Sequence, residues 1–138
     1  MGYYMSERES KFFIHKKHFE AAMHALRTIS QLQDQMSGGC GDVRRWYSWV
    51  NMDYVKETDL VKMVRHWRWE FHLDENGNVN NISFNGEKLG DDFRLFSALA
   101  PFVKRGSYID MNGENGAIWR WKFDGKTVRE ISATISFR

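Results

Sequence analysis

The tripeptide Trp-Arg-Trp occurs twice, at Trp67-Arg68-Trp69 and at Trp119-Arg120-Trp121, each time beside a turn rich in Gly and Asn. Side chains alternate between the two faces of a strand, so an extended Trp-Arg-Trp sends both indoles to one side and the guanidinium to the other. Two indoles on one side need a second layer to cover them. Helix-like spacing precedes each copy. The pattern predicts a helix-plus-hairpin unit used twice, in an α+β fold whose helices cover one face of an antiparallel sheet. A ferredoxin-like arrangement and a duplicated helix-hairpin variant both satisfy it.

With 138 residues the chain is expected to form one domain, 1–138, large enough for a core without staples. Hydrophobic residues at 42% and charged residues at 28% argue against long-range disorder. One cysteine excludes a disulfide framework and a Cys-based zinc site, and fits a reducing cytoplasm. No apolar run approaches the roughly 18 residues that a membrane span needs. The first residues lack the apolar stretch of a secretory signal, and the loose match of Gly2 and Ser6 to a myristoylation pattern carries little weight. A cytoplasmic protein off the membrane is expected. The net charge of +2 does not by itself imply nucleic acid.

Along the chain, residues 11–14 read as a first strand. Phe19, Ala22, Met23, Leu26, Ile29, Leu32 and Met36 recur at helical steps, predicting an amphipathic helix over 18–36 that a glycine-rich loop at 37–42 ends. Residues 44–50 read as a strand. Thr58 is the expected N-cap of a short helix carrying Leu60, Val64 and Trp67. A hairpin follows at 69–73 and 79–84. Asp91 or Asp92 caps the next helix, which buries Leu95, Phe96 and Leu99 and stops near Pro101. Residues 107–111 pair with 118–123, Asp124-Gly125 is a two-residue turn into 126–131, and a last strand runs through Ile135 and Phe137.

Two patterns offer chemistry. Trp46, Trp49, Trp69, Trp119 and Trp121 could stack bases, each worth about 1–3 kcal/mol, with Arg44, Arg45, Arg68 and Arg120 on phosphates. The same tryptophans also suit a core: Trp119, Trp121 and Phe123 share one strand face, as a core stripe does. Arg44-Arg45-Trp46 after the Gly38-Gly39 loop is the better site. Loop amides can cradle an anion there and two guanidinium groups can grip it, although Walker spacing is absent. The expected ligand or partner contacts are therefore Arg44, Arg45, Trp46, Trp49, Arg68 and Arg120.

Other candidates favour plainer readings. Cys40 would need a base, and spacing assigns it none of His15, His18, His24, His66 or His72. The histidines lack a paired metal spacing. In the segment from Asp74 to Asn78, Gly77 comes too early for a calcium loop and no glutamate closes it. Glu87, Asp91 and Asp92 could do acid/base work, but capping a helix explains the two aspartates more simply. No catalytic residue, metal ligand or cofactor is expected.

Five segments carry a resemblance: Trp67-Arg68-Trp69-Glu70, the run from Gly86 through Asp92, Ala100-Pro101-Phe102-Val103, the run from Gly106 through Met111, and Gly113-Glu114 with Trp119-Arg120-Trp121. Together they resemble a group of small uncharacterised proteins encoded by bacteria and their phages, over roughly residues 58–125 with a weaker match at 11–14. The resemblance brings no catalytic residue. It implies a small cytoplasmic protein, carried by a phage or mobile element, of the kind that inhibits host defence. The expected function is a non-enzymatic binding protein that blocks a host protein effector or sequesters a nucleotide-like ligand. The alternatives are a nucleic-acid-binding module using the Arg/Trp strand and a small enzyme of unassigned chemistry. A homo-oligomer stays open.

Overall fold

The computed structural model describes residues 4–29, 50–86 and 90–132. In chain order its elements are strand β1 (Met5–Lys11), helices α1 (Phe19–Ile29) and α2 (Leu60–Arg65), and the hairpin strands β2 (Trp69–Leu73) and β3 (Val79–Phe84). Helix α3 (Asp92–Leu99) follows, then strands β4 (Tyr108–Gly113), β5 (Ile118–Phe123) and β6 (Val128–Ser132). Short 3-10 turns lie at Lys16–His18, Met52–Lys56 and Ala100–Phe102. The α+β class expected from the alternating pattern is the class observed.

Strands β1, β4, β5 and β6 form a four-stranded antiparallel sheet in the order β1-β4-β5-β6, and β2 pairs with β3 in a second sheet. The second sheet lies along the edge of β1. Ile14 and Val79 exchange both backbone hydrogen bonds at 3.0 Å. The Ser10 hydroxyl lies 2.9 Å from the Ile82 carbonyl, and the Phe84 N–H donates to Glu7 Oε1 at 3.3 Å. The spatial succession is therefore β2-β3-β1-β4-β5-β6, with side chains completing the β3–β1 junction.

Helices α2 and α3 are each followed by a hairpin, β2–β3 and β4–β5, as the helix-plus-hairpin pattern expects, but the two hairpins lie in different sheets and hold Trp-Arg-Trp differently. The cause is local. Trp67 and Arg68 lie in the turn after α2, with Arg68 at φ +72°, so only Trp69 of the first Trp-Arg-Trp is extended. In the second copy all three residues sit inside β5.

Other boundaries shift too. The first strand covers Met5–Lys11 rather than 11–14, leaving Phe12 and Ile14 buried just beyond its end. Asp59, not Thr58, caps α2, its Oδ1 accepting the Val61 N–H at 2.9 Å. Phe123 pairs with Val128, so four residues rather than two connect β5 to β6. Their turn is lengthened because the Asp124 carboxylate gathers the N–H groups of Lys126 and Thr127 at 2.9 and 2.8 Å. The expected strands at 44–50 and through Ile135 and Phe137, and the helix beyond Ile29, reach outside the described residues.

One contiguous core joins these layers. From the sheet it takes Ile109, Met111, Trp119, Trp121 and Phe123, the alternate residues of β4 and β5. Helix α3 covers them with Leu95, Phe96 and Leu99. The Phe96 ring lies 4.7 Å from Trp121, 5.0 Å from Trp69 and 6.0 Å from Phe123, in the tilted and edge-on geometries that aromatic pairs prefer. Helix α1 adds Ala22, Met23, Leu26 and Ile29, and its Leu26 carbonyl accepts the buried Tyr54 hydroxyl at 2.7 Å. No helix among the described residues is long and apolar enough to cross a membrane.

Candidate functional site

Of the residues expected to make contacts, Arg44, Arg45, Trp46 and Trp49 lie outside the described residues, as does Cys40. Arg68 and Arg120 are both described, and they serve different places. Arg68 is largely covered, with its guanidinium carbon 5.3 Å from the centre of the Phe84 ring and Nη2 3.8 Å from Asp92 Oδ2. Burial pushes this guanidinium below its ordinary value, and Asp92 works the other way. Arg120 lies on the opposite face of the four-stranded sheet from the core. Its Nε and Nη2 donate to the two oxygens of Asp110 at 2.6 and 3.0 Å, and its guanidinium stacks 4.2 Å from the centre of the Tyr108 ring. A phosphate would have to displace Asp110 to reach it. Trp69, Trp119 and Trp121 are buried, so these three form no stacking platform. The face that alternation gave them is the face that α3 covers.

Asp92 is the carboxylate that sequence reasoning placed too simply. It begins α3, is 1% exposed, and accepts the Trp69 indole N–H at 2.8 Å and the Gly90 N–H at 3.1 Å. Burial raises its pKa, chiefly, while Trp69, Gly90 and Arg68 oppose the shift. Asp91, at the N-cap, makes no side-chain capping bond. The Arg68–Asp92–Trp69 cluster ties the α2–β2 turn to α3. It faces the interior, so it is a clamp rather than a place for a ligand.

Cations gather instead at the end of the molecule where three turns meet. The Lys104 N–H donates to the Phe13 carbonyl at 2.8 Å, the Gly106 N–H donates to the Phe123 carbonyl at 3.0 Å, and the Phe13 N–H donates to Ser107 Oγ at 3.3 Å. These bonds fix the 104–106 turn between the segment after β1 and the end of β5. Gly125 stands at φ +96°, a conformation open to glycine, and a Cβ there would lie 3.4 Å from the Arg105 Cβ. The β5–β6 turn thus packs closely on Arg105.

Two clefts open at this end and share Arg105. One, of about 370 Å³, is lined by Arg105, Gly106, Lys122, Phe123, Asp124 and Arg129. The other, of about 290 Å³, brings Phe13, Lys17, His18, Phe102 and Lys104 around the other side of Arg105. Lys17, Lys104, Arg105, Lys122 and Arg129 are all exposed. None of the ion pairs among the described residues involves any of them. Asp124 is the carboxylate lining the first cleft; its oxygens accept from Lys126 and Thr127, and the charge of Arg129 also favours its ionised form. Hydrogen bonds, above all from the Thr127 backbone, lower its pKa to about 2.

Sequence reading missed this cluster because Lys104-Arg105 and Lys122 to Arg129 are separate in the chain. Only the register that sets Phe123 beside Val128, and the bond from Gly106 to Phe123, bring them together.

Two other pairs have suggestive spacing. His72 Nε2 lies 2.5 Å from Ser83 Oγ, and His66 Nε2 lies 2.8 Å from Glu57 Oε2. The first is exposed on the β2–β3 hairpin, with no described carboxylate bonded to His72 to orient it, and the second offers no nucleophile. Among the described residues no group of three His, Cys, Asp or Glu side chains is placed to hold a metal ion. No protein-family model, curated protein or solved structure matches the chain.

Proposed function

We propose that the chain is a non-enzymatic binding protein that takes an anionic partner on the basic end centred on Arg105. The observation that supports this reading most is the convergence of exposed cations from two turns and from strands β5 and β6 on two adjoining clefts, outside the ion pairs formed among the described residues. Clefts in which one sign of charge predominates, as cations do here beside the single carboxylate of Asp124, focus the field and raise the local concentration of oppositely charged partners. A net charge of only +2 makes the concentration at one end a property of the fold.

The partner class is an acidic protein surface, such as a host effector, or a phosphate-bearing ligand. Work in the cytoplasm, from a phage or mobile element and against bacterial defence, belongs to the same proposal and draws on the segment resemblance alone. Arg44, Arg45, Trp46 and Trp49 remain in it as a second contact.

Heparin, a polyanion without bases or a protein surface, tests the reading. The protein should be retained on immobilised heparin and released by salt. Arg105→Ala combined with Lys122→Ala and Arg129→Ala should elute at clearly lower salt while melting at the same temperature. Equal elution of the folded triple variant, or no retention of the native protein, would overturn the proposal.

A further inference from the structure

We infer that the two clefts form one track for a single-stranded nucleic acid, with phosphates on Arg105, Lys122 and Arg129 and a base against Phe102. This inference rests on the anionic-partner reading and commits it to one class of partner.

The two clefts differ in chemistry. The first presents Arg105, Lys122 and Arg129 against the one carboxylate of Asp124, while its aromatic residue, Phe123, is buried behind them. It offers charge and no ring face, which suits phosphate. The second adds half-buried Phe13 and Phe102 to Lys17 and Lys104. His18 lies 6.0 Å from the Phe102 ring, tilted by 41°, and Lys104 Nζ lies 5.7 Å from the centre of the Phe13 ring. Rings interleaved with cations along a groove are what an unstacked strand can use, because it offers a phosphate and a free base at every step.

Other anions use only part of this surface. A duplex keeps its bases stacked inside and would leave the recessed rings idle. An acidic peptide would satisfy the cations and likewise ignore the rings. Arg105, shared by the two clefts, is placed to hold the phosphate between a stacked base and the next nucleotide. The turn that carries it is held at both ends by backbone bonds, so the track is built before a ligand arrives. None of this draws on the Trp-Arg-Trp strands, whose indoles are in the core.

The test is fluorescence anisotropy of a labelled oligothymidylate with the full chain, in rising salt. The logarithm of affinity should fall against the logarithm of salt with a slope of about −2 if three phosphates are neutralised. Arg105→Ala should weaken binding roughly tenfold or more and flatten the slope by about 0.7. Phe102→Leu keeps an apolar side chain but removes the ring, and should weaken binding at least about fivefold. Should Phe102→Leu fail to fold, His18→Ala reads the same cleft. Unchanged affinity in a folded ring variant, or equal competition by duplex DNA or polyglutamate, would overturn the inference. Heparin retention that depends on Arg105, without oligothymidylate binding, would refute the single-strand track and leave the anionic-partner reading standing. Failure of both probes would end both.

Discussion

The indole N–H of Trp69 donates to Oδ1 of Asp92 at 2.8 Å, joining the first residue of β2 to the first residue of α3 inside the core. Asp92 is thereby more than a helix-start residue: it holds α3 over the tryptophan face. Asp92→Ala would leave the buried indole donor without this acceptor and Arg68 without this counter-charge, at a cost of about 1–3 kcal/mol. Asp92→Asn, which can still accept from Trp69, should cost less. Urea unfolding followed by tryptophan fluorescence measures both.

The same carboxyl sets a pH dependence. Burial raises its folded pKa above the unfolded value, so between the two values the folded state binds more protons. Stability should fall as pH rises from the ordinary aspartate range through the raised folded value. Asp92→Asn should flatten that part of the profile. Unfolding free energies collected from mildly acidic to neutral pH decide it, and a stability that rises through the window with Asp92 as its cause would contradict the assignment.

Trp121 carries the packing side of the argument. Its ring meets Phe96 at 4.7 Å and Trp69 at 6.0 Å, and it is 2% exposed. Trp121→Ala should cost roughly 3–5 kcal/mol. Thermal melting of the variant should show a large loss or no cooperative transition; an unchanged midpoint would remove Trp121 from the core.

Gly125 links stability to binding. Its φ of +96° resists a side chain, while a Cβ there would meet the Arg105 Cβ at 3.4 Å, an ordinary contact. Gly125→Ala should lose about 1–2 kcal/mol through the left-handed backbone alone. It should also weaken heparin retention by straining the turn that packs against Arg105. Loss of stability with full retention would show that the turn does not position the arginine.

Asp124 should titrate near 2, held there by the N–H groups and hydroxyl of its own turn. A lowered carboxyl pKa stabilises the fold above the unfolded value, and that contribution is lost as pH falls through about 2. Carbon-detected NMR of the side-chain carboxyl reads the midpoint directly. A midpoint at the ordinary aspartate value would mean that the turn is open in solution.

Much of the frame was legible in the sequence, for reasons that particular residues make plain. The β2–β3 bounds follow from the turn residues Asp74 to Asn78 between two apolar-bearing runs, the pairing of β4 with β5 follows from alternation, and Trp119, Trp121 and Phe123 fall on the core face as their spacing requires. Strand β1 was illegible because Met5–Lys11 is mostly polar and carries an irregularity between Glu7 and Glu9, leaving little apolar period to read. The first Trp-Arg-Trp misled because Arg68 adopts a left-handed backbone that no pattern of residue types announces. The basic end stayed hidden because it is assembled by strand register from turn and strand residues distant in the chain.

Amide chemical-shift mapping of the full chain against a heparin oligosaccharide tests the binding surface most directly. Shifts should concentrate at residues 13–18, 102–106 and 122–129, fade as salt is added, and spare the β2–β3 hairpin. Shifts centred on the hairpin or on residues 37–49, with the amides around Arg105 silent, would contradict the assignment of the anionic partner to this end.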